Sequence, residues 1–153
     1  MTTRRAPVTV DRLLPPANEE DRASILTLEA DAFANPWTAE TFDRMLTSPV
    51  SQVYIARRAD GVIVAFVACW VIDSEIHINT VAVQREQRRR GIGEHLLREM
   101  LRLAGATRAT LEVRRSNDAA LALYRKLGFQ VSAISREYYQ NPVEDGLILW
   151  WNP

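Results

Sequence analysis

The chain of 153 residues has one cysteine, two histidines, six glycines and no excess of charge of either sign. A single cysteine, Cys69, cannot build a disulfide framework, and it lies inside an apolar run. His77 and His95 have no co-ligands at metal-site spacings, so no resident metal is expected. With 19 basic and 19 acidic side chains the molecule is no polycation, and nucleic acid is not an expected partner; only a local group of arginines asks for an explanation. No apolar run is long enough to span a bilayer, and the N-terminus lacks the apolar region of a signal peptide. A cytoplasmic protein with no membrane partner is expected. Repeats and low-complexity stretches are also missing. The length suits one domain with a core of its own. Met1 to Pro7 reads as a flexible tail and residues 8–153 as the domain.

What is present centres on Val81 to Leu101, VAVQREQRRRGIGEHLLREML. It begins as a short apolar strand, passes through a basic turn with Gly91 and Gly93, and ends in an amphipathic helix. Leu96, Leu97, Met100 and Leu101 recur at helical spacing, leaving Glu94, Arg98, Glu99 and Arg102 to water. The first helical residues carry backbone N–H groups without intrahelical partners, and the macrodipole places partial positive charge there. Glycine admits a ligand close to that backbone. Such a turn cradles phosphate, with Arg85, Arg88, Arg89 and Arg90 adding charge. No Gly-Lys-Ser/Thr follows, which excludes a Walker loop, and a third glycine is missing for a dinucleotide fingerprint. Arg88-x-x-Gly91-x-Gly93 remains, and by itself it is equally a solvated basic turn.

Along the chain, Val8 to Val10 with Leu13-Leu14 predicts a first strand, stopped by Pro15-Pro16. Asn18 predicts an N-cap, with Glu19, Glu20 and Asp21 in the first turn of a helix to about Phe33. Asn35-Pro36 breaks it, and Thr38 opens a second short helix ending near Ser48-Pro49. Val53 to Arg57 and Val62 to Ile72 flank Asp60-Gly61, a two-residue hairpin signal. The second arm is almost continuously apolar and predicts a strand buried on both faces. Ile76 and Ile78 run in even phase but Val81 and Val83 in odd phase, which predicts a bulge about Asn79-Thr80 and unpaired backbone groups beside it. After the central helix, which ends near Gly105, Ala109 to Val113 reads as a strand with Leu111 and Val113 on one face and Thr110 and Glu112 on the other. Asn117 caps a further helix, stopped by Gly128 in the left-handed conformation. Two last strands are expected, about Gln130 to Ser135 and Leu147 to Trp151. The mixed order favours an α/β sandwich.

Taken singly, the polar candidates have plain explanations. Glu112 alternates as a solvated strand residue, Tyr124 sits at core spacing and Asn117 needs only its cap. Together, Arg88-x-x-Gly91-x-Gly93 resembles the pyrophosphate signature of the GCN5-related (GNAT) N-acetyltransferases. The run LEVRRSNDAALALYRKLGF, Leu111 to Phe129, resembles their ribosomal-protein-alanine acetyltransferase (RimI-type) branch at every fixed position. Asn35-Pro36-Trp37-Thr38, Tyr138-Tyr139 and Glu144-Asp145 extend the resemblance over most of the chain from about Ala32. Asn35 stands where an apolar residue is common, and Gly146 where alanine is common.

The resemblance implies a GNAT fold, a mixed but mostly antiparallel twisted sheet of about seven strands flanked by about four helices. It implies an enzyme that uses acetyl-CoA as cosubstrate and no metal, transferring acetyl by direct attack to a protein N-terminal α-amine, that of a ribosomal protein. Glu112 would take the amine's proton and Tyr124 would give one to the leaving thiolate. Val81, Ala82 and Val83, the turn Arg88, Arg89, Arg90, Gly91, Ile92, Gly93 and Glu94, and Asn117 would hold the cofactor. Pro36, Trp37, Tyr138 and Tyr139 would meet the acceptor. The acidic stretch Glu19 to Asp43 would attract a basic peptide, or is simply a solvated helix face. A small amine, polyamine or lysine side chain is the competing acceptor, and a non-catalytic CoA- or nucleic-acid-binding module the competing class.

Overall fold

The structure is a computed structural model that describes residues 8–33 and 36–153. The expected tail at Met1 to Pro7 and the Asn35 end of the substrate-side loop lie outside the described residues. Seven strands make one sheet: β1 (Val8–Leu13), β2 (Ser51–Arg58), β3 (Ile63–Ile72), β4 (Glu75–Val83), β5 (Arg108–Arg114), β6 (Gln130–Tyr139) and β7 (Glu144–Trp151). Their spatial order is β1-β2-β3-β4-β5-β7-β6. All neighbours are antiparallel except β4 and β5, which run parallel. Four α-helices accompany them among the described residues: α1 (Glu19–Ala32), α2 (Ala39–Thr47), α3 (Ile92–Leu103) and α4 (Asp118–Leu127).

The helix ends follow from side-chain chemistry. Asn18 Oδ1 accepts the Asp21 N–H at 2.8 Å, and Thr38 Oγ1 accepts the Thr41 N–H at 3.1 Å, each satisfying an orphan donor of the first turn. At the end of α4, the Phe129 N–H donates to Tyr124 O and the Gly128 N–H to Arg125 O, both at 3.0 Å. Gly128 has φ 103°, so this is the Schellman arrangement the sequence predicts.

Two apolar clusters cover the two faces of the sheet. On one face α3 and α4 contribute Leu96, Leu97, Met100, Leu121 and Tyr124 to a cluster with Val67, Ile76, Leu111, Val113 and Leu149. On the other, α1 and α2 bring Ile25, Leu28, Phe42 and Leu46 onto Val53, Ile55, Phe66 and Ala82. Alternation along β5 puts Ala109, Leu111 and Val113 in the first cluster. Thr110, Glu112 and Arg114 therefore emerge on the opposite face, half-buried.

Three expectations need correction. The β2–β3 connection is a three-residue loop: the Arg58 N–H reaches Val62 O, the Gly61 N–H reaches Arg58 O, both at 2.9 Å, and Gly61 has φ 88°. A type I turn followed by a left-handed glycine replaces the tight two-residue turn. Strand β3 is buried on both faces only through Cys69; Trp70 and Ile72 are exposed, because α1 and α2 stop short of that end. The last two strands are longer than their apolar residues suggest, since β6 and β7 continue through irregular register to the pair Tyr139 and Glu144.

Candidate active site

The sheet comes apart where the parity argument placed a bulge. Ala68 pairs with Thr80 and Cys69 with Ile78, so Asn79 is the extra residue in β4. Strands β4 and β5 pair only at Glu75 with Arg108, Ile76 with Ala109 and His77 with Thr110. Beyond that point β4 stays paired to β3 as far as Val83, and β5 stays paired to β7 as far as Arg114. The two strands diverge, each held from outside, so along Val81 to Val83 the backbone groups that face β5 have no partner strand.

Glu112 stands just past the last backbone pair. Its Oε2 lies 2.7 Å from His77 Nε2, and its side chain is 26% exposed, so the carboxylate reaches both the gap and water. Glu112 is thus half-buried and paired rather than fully solvated, and its partner His77 is one that the sequence does not signal. The partners are 35 positions apart in the chain, and only the parallel register brings them together. Trp70, the neighbour of His77 across β3 and β4, lays its ring 5.2 Å from the imidazole.

Tyr124 enters from the other side of the sheet. It is 9% exposed, packs with Leu111 and Val113, and meets Phe129 edge-on at 5.8 Å. Burial pushes its hydroxyl up to about 12, so it keeps its proton at neutral pH. Glu112 and Tyr124 thus lie on opposite faces of β5.

At the far end of β4 the Arg88 guanidinium donates to Val83 O at 3.1 Å, tying the basic turn to the strand. Gly91, with φ 78°, is the N-cap of α3 and leaves the N–H groups of Ile92, Gly93 and Glu94 at the helix start. A Cβ on Gly93 would meet only the side chains of Leu123 and Val83, each at 3.6 Å. Packing does not require glycine there, which fits a ligand approaching the backbone. Arg89 and Arg90 are exposed beside it, while Glu94 is paired to Lys126 at 2.9 Å and to Arg98 at 3.1 Å. Asn117 caps α4 by accepting the Ala120 N–H at 3.1 Å, so its Oδ1 is already engaged.

The open face beside Glu112 is rimmed by aromatics. Tyr138 and Tyr139 pack edge-to-face at 4.9 Å, and the Arg114 guanidinium lies 4.6 Å from the Tyr139 ring centre. Burial first, then Tyr138 and the Glu112 carboxylate, push the Tyr139 hydroxyl up to about 12. A Cβ on Gly146 would come within 3.2 Å of both tyrosines, so glycine at that position seats the pair. Glu144 fastens the β6–β7 turn: it takes the Ser116 N–H at 2.7 Å and Arg114 at 3.3 Å. On the same face of the sheet, Trp37 rests on Phe66 with centroids 5.7 Å apart; Pro36 is exposed.

Three residues of the acidic stretch are engaged within the fold. Asp21 is bound by Arg57 at 2.6 Å, and Asp43 by Arg22 at 2.6 Å. Glu29 is 2% exposed, and its Oε1 accepts the Trp37 N–H at 3.1 Å; desolvation raises its carboxyl pKa. Its place in the fold is to anchor the loop carrying Trp37, a role hidden in the sequence because Glu29 looks like one more surface acid. Cys69 is buried, with its thiol pushed up to about 12 by desolvation, and is not a nucleophile. Among the described residues no group of histidines, cysteines and carboxylates forms a metal site, and no helix is long and apolar enough to cross a membrane.

A split parallel pair opening onto a glycine-started helix, with a carboxylate at its apex, defines a transferase that grips a long phosphorylated cosubstrate. The sequence pattern of the acetyltransferase (GNAT) family matches residues 22–129, and the chain belongs to that family. It is 37% identical over 146 residues to N-alpha-acetyltransferase RimI of Mycobacterium tuberculosis, spanning 92% of this chain and 89% of that one. It is 37% identical over 128 residues to the [ribosomal protein bS18]-alanine N-acetyltransferase of Escherichia coli, spanning 78% and 80%. The crystal structure of the Escherichia coli ribosomal-protein-S18-alanine N-acetyltransferase superposes with a TM-score of 0.81 at 29% identity, covering 95% of this chain and 94% of that one.

Proposed function

We propose that the protein acetylates the α-amine of a protein N-terminus from acetyl-CoA, with the N-terminal alanine of ribosomal protein bS18 as its acceptor, in the cytoplasm. The observation that carries this reading is Glu112 at the apex of the gap between β4 and β5, held by His77 and open on the aromatic-rimmed face. Acetyl-CoA, when bound, supplies an activated acyl group as a thioester. The Gly91 to Glu94 helix start and Arg88 to Arg90 hold its pyrophosphate, and Asn117 flanks the arm. Along Val81 to Val83 the backbone N–H groups that face the gap would receive the acetyl carbonyl and the amides of the arm, as an added strand would.

The acceptor nitrogen arrives on the face of Trp37, Tyr138 and Tyr139. Glu112 takes its proton, directly or through one water, and Tyr124 protonates the departing sulfur from the other face. A base of this kind is worth roughly 10²–10⁴-fold in rate. Positioning of the two reactants supplies much of the rest. An α-amine titrates near pH 8 and a lysine near 10.4, so one modest carboxylate suits the former. The broad open face also suits an extended chain better than a small amine.

Peptides starting with alanine, serine or methionine, beside spermidine and free lysine, are incubated with labelled acetyl-CoA and read by mass spectrometry. Label is expected on the alanine-starting bS18 peptide at the α-amine. Higher kcat/KM for spermidine or lysine overturns the acceptor assignment. Glu112→Gln is expected to lose turnover while keeping acetyl-CoA affinity, and full turnover at saturating peptide removes Glu112 as the base.

A further inference from the structure

The contact between His77 and Glu112 lies where the parallel ladder ends. His77 and Thr110 are the last backbone pair, and Glu112 is the next residue of β5 on the same face. The side-chain bond at 2.7 Å therefore spans the two strands one step beyond their final pairing. It fixes the carboxylate at the mouth of the gap. Among the described residues only Oε2 is engaged, which leaves Oε1 for the acceptor.

We infer that His77 is a positioning residue that orients the general base of the acetyl transfer by donating its Nε2–H to Glu112. This rests on Glu112 being that base, as proposed above. An ionised carboxylate only accepts hydrogen bonds, so a base awaiting a proton needs its partner nitrogen to carry the hydrogen. The neutral imidazole then has Nδ1 as its acceptor nitrogen. The bond makes Oε2 the poorer base and leaves Oε1 as the reactive oxygen. A glutamate has three side-chain torsions, and without an anchor its carboxylate would spread over several rotamers in an open gap. The indole of Trp70, at 5.2 Å, limits the imidazole in turn. A base held by a second group, itself held by a third, is the general logic of activated sites. His77 is half-buried, with 29% of its side chain exposed. No metal cluster among the described residues accounts for it.

The test is a double-mutant cycle with His77→Leu, His77→Gln and Glu112→Gln, read as kcat and peptide KM at saturating acetyl-CoA, with acetyl-CoA affinity measured separately. His77→Leu, which has no donor, is expected to lower kcat by roughly tenfold or more, within the 10²–10⁴ that the base itself is worth, with KM changed less than about twofold. His77→Gln keeps an N–H that reaches the carboxylate and is expected to recover most of that loss. In the Glu112→Gln background, His77→Leu is expected to cost nothing further. If Glu112→Gln abolishes turnover but His77→Leu leaves kcat intact or adds its full cost to Glu112→Gln, the positioning role is wrong and the base assignment survives. If Glu112→Gln is fully active, the base assignment itself fails. Should His77→Leu not fold, nitrogen NMR of the imidazole in the unaltered enzyme decides: an Nε2–H tautomer supports the inference, and an Nδ1–H tautomer overturns it.

Discussion

Replacing Tyr124 with phenylalanine separates chemistry from packing, because it removes one oxygen and leaves the ring. The side chain is 9% exposed, and its ring edges onto Phe129 at 5.8 Å; both the apolar burial and that contact survive the change. The stability cost is therefore bounded by one hydrogen-bonding group, about 1 kcal/mol or less, or about 2–4 °C in Tm for a chain of this size. Cutting the ring away as alanine would instead cost about 3–5 kcal/mol. If the hydroxyl protonates the leaving sulfur, its loss should slow the chemical step by roughly 10²-fold or more, equivalent to at least about 2.7 kcal/mol of barrier. Rapid-quench single turnover with acetyl-CoA and an alanine-starting peptide measures that step directly. A thioester of a more acidic thiol needs less help in leaving, so it should recover much of the lost rate in Tyr124→Phe and gain little in the unaltered enzyme. Unchanged single-turnover rate, or an equal deficit with both thioesters, refutes Tyr124 as the acid.

Gly93→Ala should leave Tm unchanged within about 2 °C, since its Cβ meets only side chains at 3.6 Å. It should weaken acetyl-CoA binding by about tenfold or more in calorimetry, because the methyl group fills the cradle; unaltered affinity removes the turn as the pyrophosphate site. Gly146→Ala places a Cβ 3.2 Å from Tyr138 and Tyr139 and should raise peptide KM several-fold with acetyl-CoA affinity preserved; an unchanged KM takes the tyrosines out of the acceptor groove. The Arg57 guanidinium holds the Asp21 carboxyl below its ordinary 3.8. The stability from that pair is fully present above the ordinary carboxylate range and drains away as pH falls through the depressed folded value. Asp21→Asn should cost about 1–2 kcal/mol at pH 7 and flatten the acid limb of a Tm-against-pH curve; an identical acid limb refutes the coupling.

Local rules made much of this legible in advance. Asn18 and Thr38 announce helix starts because an orphan N–H needs a nearby oxygen, and Gly128 announces a stop because it alone among its neighbours tolerates positive φ. The bulge at Asn79 shows in the change of parity between Ile78 and Val81, since a core-facing strand cannot shift phase without an inserted residue. The pairing of His77 with Glu112 does not show, because it depends on the register of two strands joined through α3. Glu29 is hidden for a similar reason: burial is set by α1 packing on the sheet, and a stretch written with seven carboxylates from Glu19 to Asp43 gives no hint which of them turns inward. Strand ends at Tyr139 and Glu144 are fixed by tertiary ties to Arg114 and Ser116, which no periodicity records.

A sheet that stops pairing halfway along its middle has a seam. Three residue pairs stitch its two halves together at one end, and the apolar layer of α3 and α4 backs the rest. A cosubstrate bound along β4 and β5 beyond His77, as proposed above, would complete the missing stitches, making its occupancy and the mending of the sheet one event. Amide exchange along residues 78–83 and 111–114 should then report loading more sharply than any change in overall shape, and the free enzyme pays for its readiness with a fault line through its own core.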